Sequence, residues 1–301
     1  LSLGRKIKFK IPKLYKMKNF KTLLVLFSIS IFLFNCTNEE TTLTNNNGPQ
    51  GILNPQNINF DDAENYTVNG FGANSYWASY IVDQSTTNFL RGQHNQTASF
   101  FGMGNVPLYL AGGPGTFNAL SFSAGYIVWG EELLQSADNY GNAAIAYVAA
   151  HEMAHQIQFR DSNIPSSNHV SATELEADGF GGYYIRRQYT SNWSVASQAY
   201  NFAQTLAGPS GSSHGSAPQR RSAYRLGYLL GQNGTYSNRN FDSNFFYYYN
   251  YYVLGGRLRQ EVLQPNTIDT KTHENIVAHL EELHKIYKGE ISEEEFTNLN
   301  D

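Results

Sequence analysis

The stretch from Asn142 to Phe159, NAAIAYVAAHEMAHQIQF, decides the fold. It contains neither Gly nor Pro and is rich in alanine, so it predicts a helix. Alanine and valine flank its two histidines, whereas a solvated face would carry lysine or glutamate at such positions. The helix is therefore expected to be buried. The alternative is an amphipathic helix that carries both histidines on its surface.

His151 and His155 are four residues apart, so on a helix their side chains lie one turn above the other. The separation is about 6 Å along the axis, and both rings can reach one metal ion. Zinc held by three protein groups keeps a position for water, and Glu152 beside it can take a proton from that water. The H-E-x-x-H pattern thus predicts a hydrolytic zinc centre with Glu152 as the catalytic general base.

The third zinc ligand is predicted within residues 171–182, SATELEADGFGG. A second helix that returns across the first would deliver Glu174, and Asp178 on the same face could accept the free N–H of a ligating imidazole. Glu176 competes with Glu174, but it points about 200° around the helix from it, so only one of them faces the zinc. We choose Glu174 because it brings Asp178 with it. Alternatively, Ser171 and Glu174 form only a helix-capping box.

The combination of H-E-x-x-H with E-x-x-x-D resembles the gluzincin metallopeptidases, in which two histidines and a downstream glutamate bind zinc. The segment ELEAD, residues 174–178, is similar to one found in the CAAX prenyl-endopeptidase group and in the neutral zinc metallopeptidase family. HGSAPQRR, residues 214–221, followed by Gly227 and Tyr228, resembles a segment of the latter family. The likeness covers about residues 118–231 and implies an α+β, zincin-like fold, with a small mixed sheet packed on the active-site helix and a mainly helical C-terminal part.

A donor for the developing oxyanion is expected near the metal, because the transition state of hydrolysis carries negative charge on the former carbonyl oxygen. His214 is the catalytic candidate, with Tyr183 and Tyr184 behind it. An open alternative for His214 is a turn residue in a loop rich in glycine and serine. Residues 126–129, YIVW, predict a strand that either pairs with a peptide substrate or lies in the sheet interior without touching a ligand.

The beginning of the chain predicts export and a lipid anchor. Residues 1–16 precede Met17 and are interpreted as an over-extended start, and residues 17–35 have the lysines and the short apolar run of a signal peptide. The ending L-F-N-C resembles a lipoprotein processing box, which implies an outer-membrane lipid anchor through Cys36 and a periplasmic or cell-surface location. Residues 36–50 then form a flexible tether, and residues 51–301 form the zinc metallopeptidase domain.

The net charge of the chain argues against partners that are themselves strongly negative. The chain has 21 basic and 25 acidic residues, and eight of the basic ones precede Cys36. The mature chain therefore keeps 13 basic residues against 25 acidic ones, a net charge of about −12, which argues against binding to nucleic acid or to anionic lipid. Because Cys36 is the only cysteine, a core rather than disulfides must hold the domain together.

Two further segments concern the C-terminal part. Phe241–Tyr252 is dense in aromatic residues and is interpreted as a core element, with a peptide- or sugar-binding surface as the alternative. Residues 267–288 have apolar residues near helical spacing and predict a packing helix.

These observations favour a zinc-dependent, lipid-anchored metallopeptidase that hydrolyses a peptide or protein substrate. One rival is a catalytically inactive, zinc-stabilised surface protein that binds peptides or glycans through its tyrosines. Another is a zinc amidase that acts on cell-wall peptides, which shares the chemistry and differs in substrate.

Overall fold

The computed structural model describes residues 71–72, 74–206, 214–257 and 261–300. The predicted start, signal peptide, lipidated Cys36 and tether lie outside these residues, as do the first residues of the predicted domain. Among the helices of the described ranges, none is both long enough and apolar enough to cross a bilayer.

The sheet has four strands: β1 (Tyr76–Trp77), β2 (Leu108–Gly112), β3 (Ala119–Phe122) and β4 (Tyr126–Gly130). Their spatial order is β1-β2-β4-β3. The central pair β2 and β4 is parallel, with Tyr109 opposite Val128, and the two outer pairs are antiparallel. The sheet is therefore small and mixed, as expected.

Helices make up most of the remaining described chain. They are α1 (Gln84–Phe100), α2 (Glu131–Tyr140), α3 (Asn142–Arg160), α4 (Ala172–Tyr184), α5 (Trp193–Ala203), α6 (Ala217–Leu230), α7 (Asn238–Tyr248), α8 (Thr270–Lys288) and α9 (Glu293–Thr297). Wider π-helical turns at Ile185–Tyr189 and Tyr249–Leu254 extend α4 and α7, and a 3₁₀ turn at Gln204–Leu206 follows α5. The expected α+β class with a mainly helical C-terminal part is confirmed.

Helix α3 is the centre of the fold. Every residue from Ala143 to Gln158 is buried, and the helix contacts α1, α2, α4, α5 and the sheet. Its many alanines allow these neighbours to approach closely from several sides. His151 and His155 are each only 7% exposed, so the predicted buried helix is confirmed and the surface-histidine alternative is wrong.

The sheet packs on α3 through polar contacts as well as apolar ones. The Ser121 hydroxyl donates to the Glu152 carbonyl at 2.6 Å, and the Gln156 amide donates to the Phe122 carbonyl at 3.0 Å. Strand β4 lies between β2 and β3, so both of its edges are already hydrogen-bonded. The hypothesis that residues 126–129 pair with substrate is therefore wrong, and the interior-strand alternative is confirmed. The edge strand next to α3 is β3.

The aromatic segment Phe241–Tyr252 is a core element, as predicted. Most of its rings are buried, and Phe241 packs on Phe180 of α4 with ring centroids 4.1 Å apart. Phe245 stacks on Tyr249 at 5.2 Å. Tyr247 is only partly buried, and Tyr251 has 49% of its surface exposed. The predicted C-terminal packing helix is also present as α8, which begins at Thr270, with Asp269 as its N-cap.

Helices α4 and α6 pack at backbone distance because glycines line their contact. A Cβ atom on Gly227 of α6 would lie 1.9 Å from the Gly179 carbonyl oxygen of α4. A Cβ atom on Gly182 would lie 2.1 Å from the Tyr224 carbonyl oxygen. Such distances are far below van der Waals contact, so any side chain at these positions would force the two helices apart.

We expect Gly227→Ala to lower the free energy of unfolding by about 1–3 kcal/mol or more, since overpacking a tight core usually costs this much. Gly92→Ala is the matched control, because Gly92 lies within α1 and a Cβ atom there meets nothing within 4 Å. The control should stabilise the protein by up to about 1 kcal/mol, since alanine favours a helix over glycine. Urea denaturation measures both, and equal effects of the two substitutions would contradict the close helix contact.

Candidate metal centre

Three buried side chains from two crossing helices converge on one point. Helix α3 supplies His151 and His155, and α4 supplies Glu174. The Nε2 atoms of the two histidines lie 3.2 Å apart. His151 Nε2 is 3.4 Å from Glu174 Oε2, and His155 Nε2 is 3.6 Å from Glu174 Oε1. The group can therefore offer one ligand atom from each residue to a single ion.

The spacing of these atoms fits a tetrahedral metal ion. Ligand bonds of about 2.1 Å at tetrahedral angles place the ligand atoms about 3.4 Å apart. The two Nε2 atoms are 3.2 Å apart, each has a different oxygen of Glu174 at 3.4 or 3.6 Å, and one possible ligand atom from each residue lies within 4.8 Å of the others. Two imidazoles and one carboxylate are also a donor set typical of catalytic zinc.

The start of α4 shows that Glu174 is not a capping residue. Its carboxylate faces the two histidines, while the Ser171 amide donates to His169 Nδ1 at 3.2 Å. Ser171 is the N-cap residue of α4, but it makes no side-chain capping hydrogen bond. The capping-box alternative for Glu174 is therefore wrong.

His151 is held from behind by Asp178. The distance from His151 Nδ1 to Asp178 Oδ1 is 3.0 Å, so the carboxylate accepts the ring N–H and leaves Nε2 for the metal. Arg220 of α6 donates twice to the same carboxylate, at 2.7 and 2.8 Å, and the Tyr147 hydroxyl donates to it as well. Asp178 is 0% exposed and Arg220 is 3% exposed. The structure thus brings Asp178 to the position that the sequence predicts for it.

The charges around His151 and Glu174 form a balanced network. Burial alone would raise the pKa of Asp178, but Arg220 and His151 outweigh it and hold the pKa below its ordinary value. Burial would raise the pKa of Glu174, but His151 and His214 lower it by more. The pKa is therefore well below its ordinary value, and this carboxyl stays ionised. Burial lowers the pKa of His151, yet Asp178 and Glu174 raise it to about 9. Without a metal the site therefore binds a proton, which a metal ion must displace.

His155 is held by a different group. The distance from His155 Nδ1 to Gln158 Oε1 is 2.8 Å, and Gln158 Nε2 donates to Glu176 Oε2 at 2.8 Å. Glu176 therefore faces Gln158 and not the ligand cluster, which agrees with the prediction that only one of the two glutamates points at the metal. Burial, followed by the neighbouring Asp242, raises the pKa of Glu176 well above its ordinary value.

Glu152 is buried on α3 beside His151, and only its backbone is fixed by a neighbour, through the hydroxyl of Ser121. Among the described residues, no hydrogen bond or ion pair engages its carboxylate. A carboxylate that is next to a metal ligand and is not committed to another partner can accept a proton.

His214 lies at the centre, although it belongs to the turn that precedes α6. Its Nδ1 atom is 3.8 Å from Glu174 Oε1, and its side chain is 12% exposed. Being a turn residue does not exclude it from the site. The two tyrosine candidates make contacts outside the cluster, because Tyr183 accepts from the Tyr236 amide and Tyr184 donates to Gln93.

Three further residues of the centre are not among those predicted from the sequence: Tyr147, Gln158 and Arg220. Gln158 lies three residues after His155, so helical spacing alone could have placed it beside that histidine. Tyr147 lies four residues before His151 and could have been found in the same way. Arg220 is 42 residues from Asp178 in the chain, and nothing local indicates which carboxylate it meets.

Comparisons with protein families, with curated proteins and with solved structures found no match. What the centre does must therefore be inferred from its own residues.

Proposed function

We propose that this protein is a zinc-dependent metallopeptidase of the gluzincin type with a zincin-like fold. Zinc would be held by His151, His155 and Glu174. The observation that carries this proposal is the buried group of His151, His155 and Glu174, in which one possible ligand atom from each residue lies within 4.8 Å of the others, with an uncommitted glutamate on the helix of the two histidines. A purely structural site would not require a base at Glu152, and structural zinc sites generally use four protein ligands.

The chain's own residues supply the proton transfers of peptide hydrolysis. Zinc, when bound, would polarise the scissile carbonyl and make a water molecule more acidic. Glu152 would take a proton from the attacking water and pass it to the leaving amine. His214, beside Glu174, would donate a hydrogen bond to the oxygen that gains negative charge.

The substrate would be a peptide segment of a protein. Strand β3 is an edge strand, and its residue Ser121 hydrogen-bonds to the backbone of Glu152. A peptide that paired with the outer edge of β3 would therefore run beside the catalytic helix. We also propose that the enzyme acts at the cell envelope, secreted across the inner membrane and anchored in the outer membrane through Cys36.

The segment Phe241–Tyr252 offers little surface to the rival, an inactive protein that binds peptides or glycans through its tyrosines, because most rings of this segment belong to the core. Glu152 also remains unexplained in that rival. Cleavage of casein or of a peptide library, blocked by a chelator and restored by zinc, would support the peptidase.

His155→Ala protein should contain far less than one zinc per chain, while the wild-type chain should contain about one. Loss of one of three ligands removes a metal–nitrogen bond. His279→Ala is the matched control, because His279 lies on α8 and contacts the Asn275 carbonyl of its own helix. Elemental analysis after dialysis measures the zinc, with circular dichroism to check folding. A zinc-free wild-type chain, or a His155→Ala chain with full zinc, would contradict the centre.

A further inference from the structure

We propose that Gln158 and Glu176 are positioning residues for His155, which fix the ring so that its Nε2 atom carries the lone pair offered to the metal. This inference rests on the proposed function. It deepens the zinc site by assigning the second histidine its own support, separate from the Asp178 and Arg220 that support His151. Neither residue would touch the metal or the substrate.

The neighbours of Gln158 determine which way its amide points. Gln158 Nε2 lies 2.9 Å from the Thr173 carbonyl oxygen and 2.8 Å from Glu176 Oε2. A backbone carbonyl can only accept, so the NH₂ group must face Thr173. The amide oxygen must then face His155 Nδ1, at 2.8 Å.

The direction of the amide sets the tautomer of the imidazole. Because Gln158 Oε1 can only accept, His155 Nδ1 must carry the proton. In the neutral ring that a metal requires, the Nε2 atom then carries the lone pair, and it is the atom that lies 3.2 Å from His151 Nε2 inside the cluster. An opposite amide orientation would leave the NH₂ group facing the imidazole and would place no acceptor at Nδ1.

Glu176 strengthens this choice of orientation. It is fully buried two positions along α4 from Glu174, and its Oε2 atom is a second acceptor for the same NH₂ group. With Thr173 and Glu176 both accepting, a flipped Gln158 would lose two hydrogen bonds and would place its oxygen against two other oxygens. The acidic residues of α4 thus have separate tasks: Glu174 faces the ligand cluster, Glu176 orients Gln158, and Asp178 orients His151.

Gln158→Leu tests the inference, with Gln156→Leu as the matched control. Both residues are buried glutamines on α3, and both donate to backbone carbonyls, but Gln156 binds Phe122 and Tyr126 of the sheet and contacts neither histidine. We expect Gln158→Leu to weaken zinc binding by about 10–100-fold, the usual effect of losing such an orienting partner. Gln156→Leu should bind zinc within a few-fold of the wild type. Competition with a chromophoric chelator gives both affinities.

A second measurement separates orientation from general loosening of the fold. In the zinc-bound wild type, the His155 Nδ1 proton should exchange slowly with solvent and give a nitrogen-15-coupled signal, because Gln158 accepts it. That signal should persist in Gln156→Leu and vanish in Gln158→Leu. Glu176→Gln, which retains an acceptor oxygen for the amide, should bind zinc nearly as the wild type does, whereas Glu176→Leu should bind it more weakly.

The outcomes distinguish this inference from the proposed function. A wild-type chain that binds no zinc would overturn both. A wild-type chain that binds zinc, while Gln158→Leu binds it as tightly as Gln156→Leu and keeps the Nδ1 signal, would overturn the inference alone. Unchanged affinity in Glu176→Leu would remove Glu176 from the positioning pair.

Discussion

Glu152→Gln protein is expected to retain about one zinc per chain and to lose peptidase activity by about 10²–10⁴-fold in kcat, the usual contribution of a positioned general base. Glutamine has nearly the same shape as glutamate, so the burial of residue 152 and the hydrogen bond from Ser121 to its backbone should persist. The amide cannot take a proton from water at neutral pH. Only the proton transfer should fail.

The measurement is the rate of peptide cleavage at saturating substrate, together with the zinc content of the same preparation. Glu281→Gln is the matched control, since Glu281 lies on α8 and is 73% exposed in an ion pair with Lys285. The control should cleave at the wild-type rate. A Glu152→Gln enzyme that holds zinc and keeps full activity would refute Glu152 as the base.

The sequence could predict the parts of the site that depend on helical spacing. His151 and His155 are one turn apart, and Glu174 and Asp178 are one turn apart, so each pair shares a helix face in any fold that contains these helices. The burial of α3 could be predicted as well, because its alanine-rich sequence offers no charged face. The relative placement of the two helices could not be predicted from spacing; in the structure they cross with Glu174 facing both histidines.

The strand that flanks the site could not be identified from the sequence. The aromatic and β-branched stretch at residues 126–129 predicts a strand but not its neighbours, and strand order depends on connections far along the chain. Here β2 pairs with β4 in parallel, which leaves the shorter β3 at the edge. A central strand is more apolar than an edge strand, so the stronger hydrophobic pattern of β4 is consistent with the interior.

The partner of Arg220 depends on tertiary packing as well. Gly182 and Gly227 let α4 and α6 approach at backbone distance, and in this arrangement the Arg220 guanidinium reaches Asp178. The glycines are visible in the sequence, but their pairing across two helices is not.

Arg220→Leu is expected to lower the free energy of unfolding by about 3–5 kcal/mol, the cost of leaving a buried charge without its partner. Arg220 makes two charge-assisted hydrogen bonds to Asp178, at 2.7 and 2.8 Å, and both residues are almost fully removed from water. Leucine fills much of the space but offers no donor. Among the described residues, Asp178 would keep Tyr147 and His151 as its side-chain donors, with no cation of fixed charge beside it.

Denaturation of metal-free protein in the presence of a chelator measures this effect without a contribution from zinc binding. Arg160→Leu is the control, because the Arg160–Asp161 pair is at the surface, with the arginine side chain 42% exposed, and should contribute no more than about 1 kcal/mol. The double variant Arg220→Leu with Asp178→Leu should recover part of the loss, since it removes the buried carboxylate as well. A single Arg220→Leu variant as stable as the control would show that Asp178 does not depend on Arg220 for its charge.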